Sequence, residues 1–198
     1  MRVSTFRSSF PRARVFVPLL IAVALLLASV AAATTVAQST GFSPSFRVGG
    51  RILHPKTYTL ADLQALPAHD VTVTFQGPGG AQTHQYRGAL LYDIATAAGP
   101  RFDADQKNDQ LRWYAHVTAT DNYQAIVSWG EFDPGFEGKQ VLLAYEDAGK
   151  LLATDGMARL VVPGDLKGGR YVSNVSRISF ESALDRGDQF PFPFFGND

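Results

Sequence analysis

A chain of 198 residues with 45% hydrophobic and 18% charged residues carries enough apolar material for one folded domain and too much for a disordered one. It contains no cysteine, which excludes disulfides, thiolate nucleophiles and thiolate metal ligands. Its 18 basic and 18 acidic residues balance without forming a basic stripe, which argues against a nucleic-acid partner.

Residues 1–37 read as a signal peptide. Arg2, Arg7, Arg12 and Arg14 form a basic start, residues 15–30 an apolar run, and small residues follow. Ala31-Ala32-Ala33 and Val36-Ala37-Gln38 are both cleavage contexts. The alternative is an uncleaved anchor, because residues 15–33 are nearly long enough to cross a bilayer; no later stretch is. Arg12-Ala13-Arg14 is not a twin-arginine signal. The expectation is an exported protein, periplasmic or secreted, with anchoring by the leader as the alternative and no other membrane contact. Removing the four leader arginines leaves 14 basic against 18 acidic residues, a mature charge of about −4.

Residues 38–184 form the expected domain. Residues 46–53 predict a first strand, ended by His54-Pro55. Thr59 is a suitable N-cap for a short helix over 60–66, with Asp62 in its first turn and Pro67 as its stop. His54 and His69 fall outside these elements. Residues 71–75 and 82–87 predict two strands about Gly77-Pro78-Gly79-Gly80, and 90–98 a helix closed by Gly99-Pro100. The polar stretch 101–110 reads as a solvated loop. Residues 111–120 and 123–129 predict a hairpin about Asp121-Asn122. Trp113, Ala115, Val117 and Ala119 share one face, while Tyr114 and His116 on the other are either ligand contacts or a half-solvated face. A turn-rich link over 131–138 leads to a buried strand over 141–145.

Two further apolar segments, 159–162 and 175–180, flank a connection over 163–170 with one proline, three glycines, Asp165, Lys167 and Arg170. Glycine backbone beside Lys and Arg can converge on an anion; equally, the stretch can be a sheet-to-sheet crossover with solvated charges, which spacing alone favours. The tail over 185–198 interleaves Phe190, Phe192, Phe194 and Phe195 with Pro191 and Pro193, either covering the domain or meeting a partner. Arg186-Gly187-Asp188 is too short a pattern to argue from. The strand-rich pattern predicts an α+β fold, a β-rich mixed domain of mostly antiparallel strands with two or three short helices.

Several segments stand in a fixed order: Tyr58-Thr59-Leu60 with Leu63 and Leu66-Pro67, Tyr86-Arg87-Gly88 with Leu91 and Asp93, Thr118-Ala119-Thr120-Asp121-Asn122-Tyr123, Glu131-Phe132-Asp133-Pro134, Leu142-Leu143-Ala144-Tyr145 and Arg159-Leu160-Val161-Val162-Pro163-Gly164. Together they resemble the sulfite-oxidase-like oxidoreductase molybdopterin-binding domain. The resemblance implies a pterin-binding fold, with molybdopterin as the cofactor it brings to mind and no cofactor fixed by the residues themselves. It also exposes departures. Catalytic relatives hold molybdenum through a cysteine placed near Gln76 or Gly77 here. Their Arg-x-Val-Lys-Trp run is Arg170-Tyr171-Val172-Ser173-Asn174 here, with Ser173 in place of the lysine.

Three functions follow. A redox-silent binding module would receive a pterin or other small anionic ligand with Arg170, Lys167, Gly168 and Gly169, flanked by Arg87, Asp121 and Tyr123. No catalytic residue and no metal ligand is assigned. The alternatives are a molybdopterin-dependent oxidoreductase with a non-cysteine metal site, and an extracytoplasmic protein-interaction module using the tail. Gly-x-Ser-x-Gly, phosphate-loop and His-Glu-x-x-His patterns are absent from the sequence.

Overall fold

A computed structural model describes residues 41–183; the leader and the Phe/Pro-rich tail, with its Arg-Gly-Asp, lie outside the described residues. Two sheets carry most of this stretch. The first comprises β1 (Phe46–Gly50), β2 (Lys56–Tyr58), β5 (Trp113–Ala119), β6 (Gln124–Ser128) and β10 (Val175–Ser182), in the order β2-β1-β10-β5-β6. The second comprises β3 (Ala68–Gly77), β4 (Gly80–Leu90), β7 (Leu142–Asp147) and β8 (Lys150–Leu151), with β9 (Arg159–Val161) also pairing with β7. Every strand pair is antiparallel except β1 with β10. Three short helices, α1 (Leu60–Gln64), α2 (Leu91–Ala98) and α3 (Trp129–Phe132), complete the α+β fold.

Period-two patterning sets the faces. Along β5, Trp113, Ala115, Val117 and Ala119 are buried, while Tyr114, His116 and Thr118 are half-buried. The larger core joins this face to Phe46 and Val48 of β1, Ile178 and Phe180 of β10, Leu63 of α1, Leu91 and Ile94 of α2, and Leu143 of β7. Strand β7 is buried on both sides. Leu143 and Tyr145 enter the larger core, whereas Leu142 and Ala144 enter a second cluster with Val73, Phe75, Tyr86, Val161 and Tyr171. This second cluster underlies the 163–170 connection.

Local chemistry accounts for the boundaries. Thr59 and Asp62 form a reciprocal capping box on α1, which ends at Gln64 with Ala65 as its C-cap. Gly99 closes α2 at φ 66°, a left-handed conformation suited to glycine. Gly88 sits where β4 shifts register against β7; a Cβ there would run into the Leu143 carbonyl oxygen and the Ala144 Cα.

Several sequence expectations need correction. The first strand stops at Gly50, and β2 follows as a separate strand that the sequence did not suggest. His69 lies within β3, opposite Gly88, because the β3–β4 hairpin runs the full length from Ala68 to Leu90. The solvated loop over 101–110 ends in a buried carboxylate: Asp109 is 4% exposed and accepts hydrogen bonds from Trp113 Nε1 at 2.9 Å and Asp103 N–H at 2.8 Å. The link over 131–138 begins inside α3, whose Trp129 and Phe132 are buried.

Candidate functional site

The 163–170 connection is fixed to three neighbours. Gln76, at the end of β3, forms a parallel bridge with Lys167, and its N–H donates to the Leu166 carbonyl at 2.9 Å. Gly168 lies against the Phe75 ring, where a Cβ would stand 3.0 Å from it. The Tyr123 hydroxyl, at the start of β6, donates to the Gly169 carbonyl at 2.5 Å. A 3₁₀ turn, Gly168–Arg170, then aims the Arg170 side chain at two carboxylates.

Arg170 is fully committed. Its Nε and Nη2 donate to the two oxygens of Asp165 at 2.8 and 2.6 Å, a fork-on-fork pair. Its Nη1 donates to both oxygens of Glu131 at 3.0 Å. Glu131 has two further duties. Its Oε1 accepts from the Ser128 N–H at 3.1 Å, which caps α3, and its Oε2 faces Lys139 Nζ at 3.4 Å. The hydrogen bonds that Arg170 donates to Asp165 raise its pKa above the ordinary guanidinium value; burial opposes this, and Glu131 adds to the rise. Burial alone would push the Glu131 carboxyl up, but the Arg170 and Ser128 hydrogen bonds and the Arg170 and Lys139 charges hold it below the usual range.

Beside this turn lies an open cavity of about 250 Å³, lined by Asp121, Tyr123, Tyr171, Ser173 and Asn174 among others. Asp121 Oδ1 accepts the Tyr123 N–H at 2.9 Å, so the β5–β6 turn is held in place by its own side chain. Ser173 donates to Asp155 Oδ1 at 3.0 Å. Tyr171 stacks on Phe75 with ring centroids 4.3 Å apart, and its buried hydroxyl has no hydrogen-bond partner among the described residues. Burial raises its pKa, and the nearby Asp165 charge adds to the shift. Further along the same ring column, burial pushes the Tyr86 phenol up to about 12, with Asp147, Asp155 and Tyr171 adding and Arg159 opposing.

Of the residues singled out from sequence, Lys167, Gly168, Gly169 and Arg170 form the turn, Tyr123 reaches it through the Gly169 carbonyl, and Asp121 lines the adjacent cavity with Tyr123. Arg87 does not. It pairs with Asp70 at 2.6 Å and lines a different cavity, of about 430 Å³, with Thr72, Tyr86 and Glu146. Lys167 is exposed and makes no ion pair among the described residues. Sequence reasoning missed Glu131 as the partner of Arg170. The signal was available, since Ser128-Trp129-Gly130-Glu131 is a capping-box pattern that predicts a helix start and an oriented carboxylate.

The profile of the oxidoreductase molybdopterin-binding domain matches residues 36–187. The chain belongs to that family. The mitochondrial sulfite oxidase of Rattus norvegicus is 31% identical over 157 residues, which cover 68% of this chain and 28% of that protein. The chain therefore spans less than a third of that relative's length. The sulfane dehydrogenase SoxCD of Paracoccus pantotrophus shares the fold, with a TM-score of 0.57 and 19% identity over 72% of this chain and 39% of that one.

This molybdopterin-binding domain does not offer what a thiolate-held molybdenum would need. The locus where the family resemblance puts the cysteine is Gln76, an exposed amide at the strand end, followed by Gly77. No group of three or more His, Cys, Asp or Glu among the described residues is placed to hold a metal ion. An anionic phosphate approaching Arg170 would also confront Asp165 and Glu131, which already neutralise that guanidinium.

Proposed function

We propose that this chain is an exported domain that binds a pterin or another small anionic ligand without the thiolate-ligated molybdenum chemistry of its family. One observation carries the proposal. In a chain with no cysteine, the strand end that should present the thiolate carries Gln76, and its backbone is bridged to Lys167. Beside it, Asp121 and Tyr123 line a cavity, and the Tyr123 hydroxyl ties the neighbouring glycine turn to it through the Gly169 carbonyl.

The roles follow from the contacts. Lys167, which makes no ion pair among the described residues, supplies a cation at the turn, and the backbone of Gly168 and Gly169 can approach a ligand closely because neither carries a side chain. Asp121 accepts hydrogen bonds from ring N–H groups, as a pterin would require. Arg170 acts as a positioning residue: it anchors the turn to Asp165 and α3. The basic, apolar and small-residue order of residues 1–37 supports export.

The test is elemental analysis and pterin fluorescence on protein exported under its own leader in its own host. Pterin without molybdenum is the expected result. Stoichiometric molybdenum would overturn the redox-silent reading, and the absence of both would overturn pterin as the ligand.

A further inference from the structure

The β3–β4 hairpin leaves one long strand edge open. Strand β3 stands at the margin of its sheet, with β4 on one side and no strand on the other among the described residues. Its ten residues pair with β4 from Ala68 to Gly77 without a register shift. Only the far end of the open side is covered, where the Gln76 N–H donates to the Leu166 carbonyl at 2.9 Å and Gln76 bridges Lys167.

That bond fixes which groups face outward. Along a strand the N–H and C=O of one residue point to the same side, and the side alternates from residue to residue. Because Gln76 faces away from β4, so do Thr74, Thr72 and Asp70, and their backbone groups meet no partner across the edge among the described residues. Soluble proteins blunt such edges with lysine, proline, a bulge or a short strand. Strand β3 has none of these: Val71-Thr72-Val73-Thr74-Phe75-Gln76 is uncharged, free of proline and rich in β-branched residues. The strands at other sheet margins are shorter, with three residues in β2, five in β6 and two in β8.

We propose that β3 pairs with β3 of a second copy of this chain, antiparallel about a twofold axis at Thr72. The sequence is self-complementary there. Thr72 meets its own counterpart, Val71 meets Val73 and Asp70 meets Thr74, so no like charges stand opposite each other. The outward groups of Asp70, Thr72 and Thr74 on the two copies close about six backbone hydrogen bonds. Val71, half-buried against the second cluster, gains Val73 of the second copy as a neighbour. An axis at Val73 would instead set Asp70 opposite Gln76, whose N–H is already committed to Leu166. A twofold pairing uses the edge of both copies at once, so assembly ends at a dimer. It stops short of Gln76, which keeps the 163–170 turn outside the interface and this proposal separate from the ligand reading.

The experiment is sedimentation equilibrium on the protein as its host produces it, from roughly 1 to 100 µM, a range suited to a small interface. A reversible monomer–dimer equilibrium is expected. Thr72→Lys sets two ammonium groups opposite each other on an exposed face. It should weaken the dimer roughly tenfold or more while leaving the circular dichroism and unfolding temperature of the dilute protein unchanged. Cysteine variants test the register, in a chain that has no cysteine of its own. Thr72→Cys should cross-link under mild oxidation, because facing Cα atoms in such a pair lie about 5.5 Å apart. Thr74→Cys should not, because position 74 stands about 14 Å from its own counterpart. A monomer at every concentration, open-ended assembly, a dimer that Thr72→Lys leaves at full strength, or equal cross-linking of the two cysteine variants would overturn the assignment. Association lost on removing residues 185–198 would overturn it too, and would make the tail the adhesive part.

Discussion

Replacing Arg170 by Ala would show whether this side chain is primarily a ligand-binding group or an anchor. The variant leaves Asp165 and Glu131, whose side chains are 18% and 23% exposed, facing one another without their shared cation. Removing one member of a fully buried ion pair costs about 3–5 kcal/mol, and exposed pairs contribute about 0–1 kcal/mol. With Arg170 itself 31% exposed, the expected loss lies between those limits, about 2–3 kcal/mol, or roughly 5–10 °C in unfolding temperature for a domain of this size. The dependence on pH carries the sign. Because the folded state holds the Glu131 carboxyl below its ordinary value of 4.5, its contribution is complete above that value and fades as pH falls through the lowered one. The gap between wild type and variant should therefore be widest near neutrality and narrow in acid. Urea unfolding at neutral pH and at about pH 3 measures it. A loss under about 0.5 kcal/mol, or a gap indifferent to pH, would refute the anchoring role.

Three further substitutions probe other parts of the argument. Gly88→Ala should cost at least about 3 kcal/mol or prevent folding, since the added methyl meets β7 backbone rather than a movable side chain; soluble protein with an unchanged midpoint would contradict it. Tyr171→Phe should be neutral or slightly stabilising, because the hydroxyl it removes is buried without a partner, and a loss above about 1 kcal/mol by thermal melt would reveal a partner. Thr59→Ala should cost about 1 kcal/mol in urea unfolding through the lost capping box, with Thr59→Ser restoring most of it.

Local chemistry was legible and long-range chemistry was not. Thr59 announced α1, Gly99 closed α2, and the alternation from Trp113 to Ala119 placed one face of β5 in the core, because each depends on neighbours within a few residues. The parallel pairing of β1 with β10 joins Arg47 to Arg177, and no periodicity encodes a partner so distant. At the site, glycines beside Lys167 and Arg170 marked the turn, but the carboxylate that receives Arg170 Nη1 belongs to Glu131, 39 residues away. Asp109 misled although its partner is only four residues on. Its polar neighbours suggested solvent, whereas the Trp113 indole draws it inside.

The position of β10 also governs when the domain can come into being. This last strand lies between β1 and β5 at the centre of its sheet, and those two strands meet only through it. A ribosome-bound chain can assemble the β3–β4 hairpin early, but the first sheet stays divided until Ser182 has left the exit tunnel. The architecture thus makes closure of the first sheet wait for β10.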